Sequence, residues 1–107
     1  MDNDPILGSV MIFAGNFAPR GYLYCNGATL SIMQNQALFS ILGVQYGGDG
    51  VSNFKLPDLR PDVIEYQVTL SPEKVVGVVP VVKGKREWKE NEPKWLIATE
   101  GLYPSRP

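Results

Sequence analysis

The chain has 107 residues, 44% hydrophobic and 20% charged, with a formal net charge of −1. That composition suits one globular domain and not a disordered segment, and it offers no basic stripe for a nucleic acid. There is no histidine and Cys25 stands alone, which excludes an intramolecular disulfide, a cysteine-based zinc site and every catalytic set built on imidazole.

Residues 1–5 are polar and carry no basic segment, so they read as a lead-in and not as a secretory signal. No apolar run nears the roughly 18–20 residues that cross a bilayer. Synthesis in the cytoplasm without membrane insertion is the expectation. Residues 6–14, ILGSVMIFA, form a strand with Val10 and Ile12 on one side and Met11 and Phe13 on the other. Both sides are apolar, which fits a strand buried on both faces or one with a face against another subunit. Residues 15–21, GNFAPRG, are a loop. Residues 22–25, YLYC, are a short strand, and Asn26-Gly27 predicts a type I′ hairpin returning through Ala28, Thr29 and Leu30. Cys25 has no cationic neighbour in sequence and reads as buried and inert.

Ser31-Ile32-Met33-Gln34 has the form of a capping box. It predicts a helix over 31–42, with Met33, Ala37, Leu38, Ile41 and Leu42 on the buried face and Gly43 as the stop. Residues 44–53, with Gly47, Gly48 and Gly50, are a loop with several unusual φ values. In 54–60, FKLPDLR, Phe54 and Leu56 point inward, with Leu59 a further candidate. Residues 63–70 are a strand that sets Ile64, Tyr66, Val68 and Leu70 against Val63, Glu65, Gln67 and Thr69. Residues 75–82, VVGVVPVV, are another, with Pro80 marking an edge or a bulge. Residues 83–94 carry charges of both signs and read as solvated. A final strand covers 95–103, and an extended tail follows. The fold class is α+β: a small, mostly antiparallel β domain with one well-capped helix packed on it.

Three groups of residues are candidates for binding. Gly47-Gly48-Asp49-Gly50 could cradle an anion or offer Asp49 to calcium. The plainer reading is a tight connection, because no lysine follows and the helix precedes the loop. Asp58 and Arg60 could hold a sugar or an acidic ligand, or fix a loop by pairing. Tyr22, Tyr24, Tyr46 and Tyr66, with Trp88 and Trp95, could build a carbohydrate platform or could fill core and interface. A small-ligand pocket would draw on the 15–21 loop, which holds Arg20, on the 44–53 loop and on Arg60. The ligand-binding candidates are therefore Arg20, Tyr22, Tyr24, Tyr46, Asp49, Asp58 and Arg60. No catalytic residue, metal ligand or cofactor is expected.

GSVMIFAGNFAPRGYLYCNG at 8–27, LSIMQNQALFSILGVQYGGDG at 30–50 and FKLPDLR at 54–60 closely resemble the phage tail collar domain family, including its microcystin-dependent bacterial members. NEPKWLIATEGLYPSRP at 91–107 is similar to the closing strand of those proteins. Family members commonly continue from LPDLR with Gly-Arg, a glycine-rich segment and a histidine motif. Here Pro61-Asp62 and about thirty divergent residues follow, so the metal that such histidines hold in fibre proteins is not implied. The resemblance implies a single domain over 1–107: a collar core at 1–61, divergent strands and a charged loop at 62–94, and a closing strand and tail at 95–107. It implies a non-enzymatic structural or adhesion module of a tail fibre or phage-tail-like particle. Such a module would be a homo-oligomer, with a trimer favoured, and its partners would be a surface glycan or other tail components. The alternative is a small-ligand-binding or sequestering protein on the same fold.

Overall fold

The strand that holds the body together is the last one. The computed structural model describes residues 4–105; most of the lead-in and the last two residues of the tail lie outside them. β1 (Val10–Phe13) and β2 (Tyr22–Tyr24) do not touch each other in the sheet. β7 (Lys94–Ala98) lies between them and pairs antiparallel with both. Leu96 sits opposite Met11 and Tyr24, and Ile97 opposite Val10 and Leu23. Leu96, Ile97 and Ala98 are fully buried, as an apolar run in a central strand should be. The flanking chain adds to the sheet, with Gly8 N–H on Ala98 O at 2.9 Å and Cys25 N–H on Trp95 O at 2.9 Å.

A second small sheet pairs β3 (Thr29–Ser31) with β4 (Asn53–Lys55), Leu30 opposite Phe54. Between them runs α1 (Gln36–Leu42), which buries Leu38 and Leu42 four residues apart on one face. These two meet Leu7, Cys25, Phe54, Leu56 and Ile97 in one core, and the Phe39 ring lies 5.3 Å from that of Phe54. Truncating a fully buried ring such as Phe54 to alanine costs about 3–5 kcal/mol in typical cores. Gly48 fits close against this packing: at φ +102, a Cβ there would lie 2.5 Å from Phe54 Cα.

The mostly antiparallel α+β class stands, but four local expectations do not. The helix starts at Gln36 with Asn35 as N-cap, not at Ser31. Ser31 pairs with Asn53 in the ladder, and the Ile32 amide donates to Ser52 O at 3.1 Å. The strand partner outcompetes the capping box, so Met33 is left 84% exposed. Asn26-Gly27 makes no type I′ hairpin. Such a turn needs φ > 0 at both residues, and among the described residues only glycines have it. The Asn26 side chain instead accepts from the Ala28 amide at 3.1 Å, and β2 and β3 go to different sheets. β1 is not buried on both faces: Val10 and Ile12 are exposed. Leu59, the further inward candidate, is exposed too.

β5 (Asp62–Leu70) and β6 (Val75–Lys85) form an antiparallel hairpin of their own. The turn at 71–74 is closed by Ser71 N–H on Lys74 O at 2.9 Å. Register shifts leave Lys83 and Val76 as extra residues on β6, which are bulges beside Gly84 and Gly77. All nine residues of β5 are exposed. Nine strand residues reach about 30 Å, and the molecule measures 65 × 33 × 28 Å. Its radius of gyration of 18.6 Å exceeds the ~13 Å of a compact chain of this length.

Gly48→Ala is expected to lower the thermal midpoint by roughly 10 °C or more, through both the φ > 0 strain and the clash with Phe54. Ser31→Ala, which removes no cap, should leave the midpoint within about 3 °C. Circular dichroism melts of the two variants read both.

Candidate functional site

Asp49 is spent on its own loop. Its carboxylate accepts from the amides of Val51, Ser52 and Asn53 at 2.8, 2.8 and 3.0 Å, and from Ser52 Oγ at 3.0 Å. The Asn53 side-chain amide adds a fifth donor at 3.4 Å. Three backbone amides stabilise the ionised form and hold this carboxyl well below the usual carboxylate range. The loop is thus built around its own anion. Among the described residues, no cluster of three or more cysteine, aspartate or glutamate residues is placed to hold a metal ion.

Asp58 and Arg60 form a clamp. Arg60 Nε and Nη2 meet the two Asp58 oxygens at 2.9 and 2.8 Å, and Nη1 donates to Glu87. The Arg60 contact lowers the Asp58 pKa, and the Asp58 contact raises that of Arg60. Beside the clamp, Lys85 Nζ reaches Asp62 at 2.8 Å and the Arg60 carbonyl at 3.1 Å. These contacts fasten the two ends of the hairpin to each other and to the body.

The charged 83–94 segment is only partly solvated. Arg86 grips Glu92 through two 2.8 Å bonds, and Glu92 also accepts from the Lys89 amide at 2.7 Å. Arg86 and that amide together bring the Glu92 carboxyl down to about 2. Lys94 is 7% exposed, and its ammonium donates to the carbonyls of Glu90 and Glu92 at 3.1 and 2.9 Å. So folded, the segment carries Trp88 onto the body, its ring 6.1 Å from that of Tyr24 at 44°.

A cleft of about 180 Å³ results, lined by Tyr24, Asn26, Glu87, Trp88 and Lys94. Two tilted rings offer an apolar wall. A carboxylate, an amide and a buried ammonium offer polar contacts around it. Small-ligand sites have this makeup, apolar walls with a few placed polar groups. A second cleft, of about 210 Å³, is lined by Asp4, Pro5, Arg20, Gly21, Tyr22, Glu100 and Gly101.

The model of the phage tail collar domain matches residues 8–64, over half of the sequence. The chain belongs to the phage tail collar domain family. No curated protein and no solved structure matches it at a significant level. The family is one of structural components of phage tails, and the match ends at Ile64, three residues into the hairpin.

In this collar domain the sequence candidates do not converge. Tyr22 and Tyr24 share a side of β2 yet line different clefts. Arg20 lies with Tyr22. Asp49, Asp58 and Arg60 are committed to the contacts above. Tyr46 is a half-exposed loop residue lining neither cleft, Tyr66 stands on the hairpin, and Trp95 pairs with Ile12. The six aromatic residues therefore make no single platform, and the pocket expected from the 15–21 loop, the 44–53 loop and Arg60 is not formed by these two clefts. Asn26, Glu87 and Lys94 were not singled out. Asn26 follows Tyr24 by two residues, but Glu87 and Lys94 join it only through the return of the chain into β7, which no spacing signals.

The three depressed carboxyls, Asp49, Asp58 and Glu92, set a sign for acid stability. Their stabilisation is fully present above the ordinary carboxylate pKa near 4, and is lost as pH falls through the folded-state values. The thermal midpoint of the collar domain should stay level from neutral pH to about pH 5 and drop below about pH 4. Asp49→Asn should be less stable at neutral pH, because an amide cannot accept from all these donors, and its midpoint should fall less steeply in acid. Melts across a pH series check both.

Proposed function

We propose that this chain is a non-enzymatic structural and adhesion module of a virion or phage-tail-like particle, made in the cytoplasm. On this reading it works as a homo-oligomer beside other tail components and seats a sugar of a cell-surface glycan in the Tyr24–Trp88 cleft. The collar match over 8–64 is the observation that carries it. The exposed apolar residues Val10, Ile12, Leu23 and Trp95, which share one side of the β1–β7–β2 sheet, support association through the 6–14 strand. A trimer follows from the resemblance to tail fibres.

The cleft's chemistry supports the glycan. A pyranose is apolar on its ring faces and polar at its rim. Trp88 and Tyr24 supply flat apolar surface, while Lys94, Asn26 and Glu87 supply donors and acceptors at the edge. The Lys94 ammonium meets two carbonyls but no carboxylate in an ion pair among the described residues. A sugar carboxylate would complete its neutralisation, so acidic glycans are favoured over neutral ones.

A glycan array followed by calorimetry tests this. Trp88→Ala is expected to weaken binding by roughly tenfold or more, and Lys94→Gln to remove the preference for acidic sugars. Tyr46→Ala, outside the cleft, should change nothing. Wild-type protein that binds no glycan ends the adhesive half of the reading and leaves the structural half standing.

A further inference from the structure

The hairpin carries the largest feature that the body does not explain. In antiparallel pairing, opposed residues share a face. One face is therefore Ile64, Tyr66 and Val68 against Val82, Pro80 and Val78, with Leu70 and Val75 beyond the second bulge. Every residue on it is apolar and every one is exposed, Tyr66 by 63% and Leu70 by 69%. The other face sets Glu65, Gln67 and Thr69 against Val81, Val79 and Gly77. The ribbon is amphipathic, yet its apolar side meets water. A lone two-stranded ribbon is at best marginal in water and needs a further layer on its apolar face.

We propose that this face docks onto the same face of another copy of the chain, so that the hairpins of the copies form one apolar core between them. It shares self-association with the function proposed above and adds a contact on the hairpin to the one on the 6–14 strand.

Three observations favour a second copy as the occupant. At their exposures these eight residues present roughly 700 Å² of surface, close to the ~800 Å² that each partner gives to a standard stable interface and beyond the usual largest patch of a monomer. The hairpin is charge-balanced, with Asp62, Glu65 and Glu73 against Lys74, Lys83 and Lys85. Two copies therefore approach without net repulsion, and the excess of lysine that would draw the ribbon to an anionic membrane is absent. Finally, the edge of β6 is broken by Pro80 and by bulges at Val76 and Lys83. Pro and bulges disfavour growth by edge pairing, so the face is what that strand has to offer.

Light scattering of the full chain across a concentration series, with sedimentation equilibrium, is the test. The wild type should be an oligomer. Val68→Asp should weaken it by roughly tenfold or more, whereas Gln67→Lys on the other face should stay within about twofold. Both sites are exposed, and protection of the buried Cys25 thiol from a thiol reagent confirms that each variant keeps its body folded. A wild type that is monomeric throughout overturns the proposal, as does an oligomer indifferent to Val68→Asp. An oligomer lost only with Ile12→Asp also overturns it, while leaving self-association through the 6–14 strand intact. A monomer that floats with lipid vesicles would assign the face to a membrane instead.

Discussion

The pairing of β7 between β1 and β2 is the constraint on which the rest depends. Among the described residues neither β1 nor β2 has another strand partner, and both lie within the first 24 residues, whereas β7 spans Lys94–Ala98. The sheet cannot close until the chain has made everything between and come back. This is costly in loop entropy, but the cost rises only logarithmically with length. What matters is that the excursion ends near where it began. The segment leaving at Arg60 and the one returning at Glu87 meet in a direct ion pair, and the Arg86 amide donates to Pro61 O at 3.0 Å. The clamp does the geometric work of a short loop.

That arrangement lets the hairpin stand clear of the body core. The family match ends at residue 64, just inside the hairpin. Beyond the clamp, β5 contributes no buried residue to the body. Any segment with adjacent ends could occupy that place without altering Phe54, Leu56 or Ile97. Charge follows the same division. The body core is built from apolar residues, and the ion pairs that hold the hairpin, Arg60–Asp58, Arg60–Glu87 and Lys85–Asp62, sit at the junction. Partly exposed pairs of this kind contribute modestly to stability, but the bidentate Arg60–Asp58 geometry fixes direction.

Much of the strand inventory was legible because strand signals are local. VIEYQVTL and VVGVVPVV carry their pattern within eight residues and Pro80 marked an edge or a bulge, whereas the strand expected over 95–103 ends at Ala98. Two of the failures share one cause. Asn26-Gly27 and Ser31-Ile32-Met33-Gln34 are also local signals, but each segment has a distant partner that wins. Cys25 and Asn26 are drawn to Trp95 and Asp58, and Ser31 to Asn53. Capping and turn preferences amount to about 1 kcal/mol, which a ladder joining half-buried Leu30 to buried Phe54 overrides. The site was legible only in fragments. Tyr24 was a candidate and Trp88 belonged to the aromatic set, but the side chains completing the cleft come from 26, 87 and 94, and nothing in sequence ties those positions together. Asp49, Asp58 and Arg60 drew attention as chemistry-bearing residues, and their chemistry is turned inward.

The clamp and the cleft are not independent. From Lys85 to Trp88, four consecutive side chains each take a different partner: Asp62, Glu92, Arg60 and Tyr24 in turn. Glu87 belongs to both sites, pairing with Arg60 on one side and lining the cleft on the other. A chain held at four successive positions has little freedom left, and a pre-ordered wall loses less entropy when a ligand arrives. The same four residues set the direction in which the hairpin leaves the body. The orientation of the ribbon and the shape of the cleft are therefore fixed by one stretch of backbone, so copies joined through their hairpins would present their clefts in a defined mutual geometry. Sites held in that way bind a repeating surface with an effective concentration set by the spacing, even where each alone is weak.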